Sequence, residues 1–238
     1  MVIVGLCWLF GVGTPGCGQG TNVSGDASST SVADNQRRPV STVAQARVGD
    51  IRVFPSPDET EPPTHTLANP TENGGPLVFL VEEQTLDWLH VDLPVRPNGS
   101  TGWIRASDVI VTQHEYSIVV ELAAHHITVR RGDAVILSEP VGVGTSATPT
   151  PGGRYYIKEL LEPPDPNTVY GPYAYGLSGF SNALTSYSGA EAVIGLHGNN
   201  DPSSLGRDVS HGCIRISNTG ITFLAKTLPL GTPVEIVA

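Results

Sequence analysis

The sequence predicts a mainly β protein built in two parts, and three observations carry that expectation. Gly (27 residues) and Pro (20) are plentiful and only 15% of the 238 residues are charged, the balance of a turn-rich chain with enough apolar content, 39%, to bury a core. Short alternating apolar runs recur from about residue 44 to the C-terminus, with Gly, Pro and Asn clusters between them, as antiparallel strands and hairpins require. A helical pattern stands out only near the end, so one or two helices are expected on a β framework.

Taken in order, residues 2–13 (VIVGLCWLFGVG) form an apolar run about as long as a signal-peptide core and well short of the ~20 residues that span a bilayer. No Lys or Arg precedes it, and a buried N-terminal strand is the alternative. Residues 1–17 are read as a signal peptide and the protein as exported to the cell envelope. Cys17 follows the run closely enough to be a candidate lipid anchor, although the Pro15 nearby and the absent Leu fit that pattern poorly. Residues 18–43 are small, polar and aperiodic, as in a flexible tether.

From 44 to 112 the runs DIRVF, PLVFLVEE, WLHVDL and TGWIRASDVIV alternate like the strands of a small barrel, with Trp88 and Trp103 bracketing a hairpin. From 113 onward the pattern resumes. Arg131-Gly132-Asp133 falls where a hairpin turn belongs, His125 and His126 fall in a strand, and EPPDPNTVYGPYAYGLSGFSNAL reads as a long cleft-shaping loop. A strand AVIGLHG, the segment VSHGCIRI and a helix over TGITFLAKTL, capped by Ser217 or Asn218, complete the chain. A net charge of -10 argues against a grip on nucleic acid phosphates.

Chemistry concentrates in VSHGCIRI. If a leader is removed, Cys213 is left without a cysteine partner beyond Cys17 and is either a reactive thiol or a small core hydrophobe. An extended segment would place His211, Cys213 and Arg215 on one face and Gly212 and Ile214 on the other. A thiol with a reference pKa of ~8.5 needs a base or cation to become a nucleophile, so His211 and His197 are candidate helpers, and the activated thiol is expected to ionise and be alkylated faster than in unfolded protein. Gly198 and Gly212 permit close backbone approach to an oxyanion. His197, His211 and Cys213 are also a conceivable zinc set, but without the paired spacing such sites show.

The run from His197 to Arg215 resembles the L,D-transpeptidase (YkuD) catalytic domain, whose short-loop pattern H-G-x-x-x-P-x-x-[IL]-G-x-x-x-S-x-G-C-[IV]-R it fits at every fixed position, and the resemblance extends from TPTPGGRYYI to LPLGTPVEI. Residues 44–112 resemble a bacterial SH3-like domain, which implies either wall binding or a spacer with two core Trp residues. The fold implied is a small SH3-like barrel followed by a YkuD-type β-sandwich at 113–238. The activity implied is acyl transfer on peptidoglycan stem peptides without cofactor or metal. Cys213 would be the nucleophile and His197 the base, oriented by the Gly198 carbonyl. The amides of Gly212 and Cys213, with His211 nearby, would form the oxyanion hole. Ser210 and Tyr173 are expected to meet substrate, Arg215 either to hold a substrate carboxylate or to brace the loop, and carbapenems are expected to acylate Cys213. An L,D-carboxypeptidase and a non-catalytic wall-binding protein are the alternatives. Since every motif residue follows His114, the N-terminal module is expected to be dispensable for chemistry.

Overall fold

A computed structural model describes residues 40–187 and 189–238, so the apolar run, Cys7, Cys17 and the tether as far as residue 39 lie outside the described residues. The first strand already begins at Ser41, inside the segment read as tether. The N-terminal strands are β1 (Ser41–Ala46), β2 (Asp50–Val53), β3 (His65–Ala68), β4 (Val78–Gln84), β5 (Trp88–Asp92), β6 (Thr101–Arg105) and β7 (Val109–His114). Five of them form an antiparallel sheet in the order β6-β5-β4-β1-β7, and the β2–β3 ribbon joins it through a bridge between Phe54 and Trp103.

The period-2 pattern of these runs decides which side chains go inward. Ile51, Val53, Phe79, Leu89, Val91 and Ile104 are fully buried in one cluster. Gly102 must lack a side chain, because a Cβ there would lie 2.3 Å from Val53 Cγ1. Trp88 is buried under the Arg105 guanidinium, whereas Trp103 is only half-buried beside His90, so one of the two expected core Trp residues is a core residue.

The second part contains β8 (Tyr116–Glu121), β9 (His126–Arg131), β10 (Ala134–Pro140), β11 (Val143–Gly144), β12 (Gly153–Leu161), β13 (Ala174–Phe180), β14 (Ser186–Tyr187), β15 (Ala190–Glu191), β16 (Val193–His197), β17 (Asp208–Ser210), β18 (Ile214–Arg215), α1 (Asn218–Thr227) and β19 (Pro233–Val237). Eight of these strands form one sheet in the order β10-β9-β8-β19-β12-β13-β16-β18. Side chains from both ends of it, Ile118 and Ile127 with Leu177 and Leu196, share one core with Ile221 and Leu224 of α1, so the sheet curls around that core. The expected cap is present: Ser217 Oγ accepts from Gly220 N–H at 2.9 Å.

Three local expectations need correction. Seven residues of the long loop are strand: β13 is a mostly buried run whose glycines pass beneath neighbours, a Cβ on Gly179 meeting the Tyr155 ring at 2.3 Å. His125 lies in the turn before β9 with φ 49°, its Nε2 2.8 Å from Asp208 Oδ1, and only His126 is in a strand. VSHGCIRI is not one strand, because the chain bends at His211-Gly212, where Gly212 has φ 118°, a value favouring glycine.

The two parts share buried surface. Tyr156 of β12 is fully buried among Val43, Val78 and Leu80 of the N-terminal sheet, and its hydroxyl donates to the Val78 carbonyl at 3.0 Å.

Candidate active site

The site is built by the parallel pairing of β16 with β18, which sets Leu196 opposite Ile214 and His197 opposite Arg215. Ile216 N–H donates to the His197 carbonyl at 2.9 Å, and this ladder carries Cys213 to the flank of Gly195. A Cβ built on Gly195 would lie 3.4 Å from Cys213 Sγ and 3.4 Å from His197 Cδ2, so sulfur and imidazole face each other across a position that has no side chain. Gly195 pairs in turn with Gly176 of β13, and Gly176 with Glu159 of β12. The two glycines floor a trough that runs from the thiol toward the Glu159 carboxylate, within a cleft of about 300 Å³.

The backbone holds His197 in one tautomer. Its Nδ1 donates to the Gly198 carbonyl at 2.6 Å, which leaves Nε2 unprotonated and able to accept. Tyr170 packs edge-on against the ring with centroids 5.0 Å apart. Burial pushes the His197 pKa down to about 4; the bond to Gly198 opposes this, and the nearby Arg215 charge adds to it. Burial likewise pushes the Cys213 thiol up, against the Gly195 amide bonded to the sulfur and the Arg215 guanidinium, both of which favour thiolate. The resting pair is therefore neutral thiol and neutral imidazole. The expectation of a readily ionised thiol is corrected: desolvation of the anion outweighs the amide and the cation, and the proton must leave during attack.

Ser210, 2% exposed, ties the turn that presents the cysteine. Its Oγ accepts from Gly212 N–H at 3.0 Å and donates to the Cys213 carbonyl at 2.6 Å. The Gly212 amide, expected in the oxyanion hole, is thus engaged by Ser210. Ser210 braces the turn in addition to lining the cleft. His211 also lines the cleft, exposed, with its ring tilted against that of Tyr187 at 5.5 Å between centroids, and Arg215 lies there with its buried Nε unpartnered among the described residues.

Tyr173, expected to meet substrate, is not among the residues that line this cleft. It packs against the core beside β13, and its carbonyl accepts from Gly198 N–H at 3.2 Å, while Tyr170 and Tyr187 are the tyrosines of the cleft wall together with the deeper Tyr175. Sequence reasoning missed Tyr170, Tyr187 and Gly195. A glycine inside the strand AVIGLHG signals close approach and could have pointed to Gly195; the two tyrosines lie in irregular or very short segments with no periodic signal. Among the described residues, no group of three His, Cys, Asp or Glu is placed to hold a metal ion, and no helix is long and apolar enough to cross a membrane.

Residues 115–236 match the YkuD family, the L,D-transpeptidase catalytic domain. The YkuD L,D-transpeptidase of Bacillus subtilis is 34% identical over 121 residues, which cover 51% of this chain and 65% of the relative. L,D-transpeptidase 1 of Mycobacterium tuberculosis is 28% identical over 126 residues, covering 50% and 49%. The chain thus spans less than two thirds of either relative. Among solved structures, L,D-transpeptidase 3 of Mycobacterium tuberculosis in complex with a faropenem-derived adduct gives a TM-score of 0.45 at 14% identity, over 68% of this chain and 91% of that one.

Proposed function

Because the chain belongs to the YkuD family of L,D-transpeptidase catalytic domains, we propose that it is a cysteine acyltransferase that joins peptidoglycan stem peptides through 3-3 cross-links. The observation that carries this proposal is the facing of Cys213 Sγ and His197 across Gly195, with Nδ1 anchored so that Nε2 is the free base.

In the proposed reaction the sulfur attacks the carbonyl carbon of the third stem residue while the thiol proton passes to His197 Nε2. That proton then goes to the nitrogen of the departing D-alanine, and a thioester remains on Cys213. An amine of a neighbouring stem attacks the thioester, gives its proton to Nε2 and displaces the thiol. A neutral imidazole with a pKa near 4 is a weak base but is in the accepting form throughout the neutral range. The Cys213 amide is the proposed oxyanion donor, and Arg215, whose Nε is unpartnered, would hold a substrate carboxylate. Such a substrate lies outside the cytoplasmic membrane, consistent with the apolar run at 2–13 serving as an export signal.

Purified cell wall incubated with the protein and digested to muropeptides should yield 3-3 linked dimers by mass. Tripeptides without dimers would make it an L,D-carboxypeptidase, and unaltered wall would leave it without this activity.

A further inference from the structure

The turn between β5 and β6 of the N-terminal sheet reaches into the wall of the catalytic cleft. Arg96 lies with its guanidinium 4.9 Å from the centre of the buried Phe180 ring and spreads its donors over three acceptors. These are the Ser181 carbonyl at 3.0 Å, the Leu184 carbonyl at 3.1 Å and Glu191 Oε1 at 3.3 Å. Two residues on, Asn98 Nδ2 donates to the Phe180 carbonyl at 2.8 Å, and its Oδ1 accepts from Phe180 N–H at 2.9 Å. Together they fix the chain where it leaves β13 for the β14–β15 hairpin, and Leu184, Tyr187 and Glu191 of that stretch line the cleft. Tyr187 is also the residue whose ring His211 packs against.

We propose that Arg96 and Asn98 are positioning residues: the N-terminal module completes the active site by holding the β14–β15 wall of the substrate cleft in place. The chemistry favours this over a fortuitous contact. A planar guanidinium presents donors in a fixed fork, so two carbonyls and a carboxylate can be held at once, whereas a single exposed ion pair such as Arg96–Glu191 would add little. A side-chain amide paired with both the N–H and the C=O of one residue acts as one more strand pairing where β13 ends. The wall touches the body of a substrate and not the reacting atoms, so its loss weakens substrate and transition state alike. This assignment gives the module, expected to be dispensable for chemistry, a part in substrate binding, and it rests on the acylation of Cys213 by a stem peptide proposed above.

The test uses the full chain with Arg96→Ala, Asn98→Ala and Arg96→Lys, the last keeping the charge without the fork. Hydrogen exchange of the amides of residues 182–187 is followed by mass spectrometry, with β8 and β9 as internal reference, alongside steady-state acylation by a soluble stem tetrapeptide. Both Ala variants should speed exchange at 182–187 by roughly tenfold, about what one intramolecular hydrogen bond is worth net, while β8 and β9 exchange as in wild type. KM should rise by roughly tenfold with kcat within about threefold, the pattern of lost uniform binding, and Arg96→Lys should recover only a minor part. Equal acceleration everywhere, unchanged exchange at 182–187, full rescue by Lys or an unchanged KM would each overturn the assignment. If the wild type takes no acyl group from the peptide, the transpeptidase proposal fails, and the exchange arm alone decides whether the module holds the wall.

Discussion

Gly195→Ala separates catalytic geometry from stability. The added methyl would sit 3.4 Å from both Cys213 Sγ and His197 Cδ2 and 3.6 Å from the Tyr175 carbonyl, contacts that are close but not overlapping. Steric cost is therefore small, and Ala in a strand interior is favoured over Gly by roughly 0.5–1 kcal/mol, so the net stability change should stay within about 1 kcal/mol. For a protein of this size that is a shift in Tm of roughly 2–4 °C. The catalytic cost is of another order. The methyl fills the space across which sulfur and ring must approach to pass a proton, and general base catalysis is worth roughly 10²–10⁴-fold. Thioester formation with a carbapenem, followed by intact mass in a quenched time course, should slow by about 10²-fold while the Tm from calorimetry barely moves. A variant that acylates within about threefold of wild type would refute the geometry, and a rate loss that tracked a falling Tm would reassign it to unfolding.

Other predictions follow from the same site. His197→Ala should lose roughly 10²–10⁴-fold in single-turnover acylation, and His211→Ala, which removes an exposed ring packed against Tyr187, roughly tenfold or less; equal losses would mean the roles are misassigned. Because burial raises the Cys213 thiol, iodoacetamide near neutral pH should label the native protein more slowly than the unfolded chain, and the acid limb of the acylation profile should fall near pH 4 and not near 6.5. His197 binds its proton in the unfolded chain near pH 6.5 but in the folded one only near 4. Its contribution to stability is thus intact above about 6.5 and is lost as pH falls toward 4, by up to about 3 kcal/mol, a slope that His197→Gln should remove. Ser210→Ala strands a buried N–H and a carbonyl, and should lower stability by about 2–3 kcal/mol as read by urea unfolding.

What the sequence made legible was whatever lay in one contiguous stretch. Cys213, His197 and Gly198 stand in a single motif, and the strands around them alternate cleanly enough to be read by period. The capped helix is visible for the same reason, since Ser217 and the apolar spacing of α1 are local. β13 was hidden because its content is set by its neighbours: Gly176 and Gly179 leave room for Glu159 and Tyr155, and a strand that must be thin looks like a loop. The bend at Gly212 was hidden by an alternation that the Ser210 hydrogen bonds override. Arg96 and Asn98 reach residues 82 to 95 positions away, and nothing in a hairpin turn of the form RPNG announces a distant partner.

The central claim is that Cys213 carries the acyl group, and it is tested most directly by trapping that intermediate. Wild-type protein incubated with a soluble stem tetrapeptide, quenched in acid and mapped by peptide mass, should show the tripeptide acyl group as a thioester on Cys213. One D-alanine should be released per acylated chain, and Cys213→Ser should show neither. An acyl group on another residue, or D-alanine release that persists in Cys213→Ser, would contradict the account.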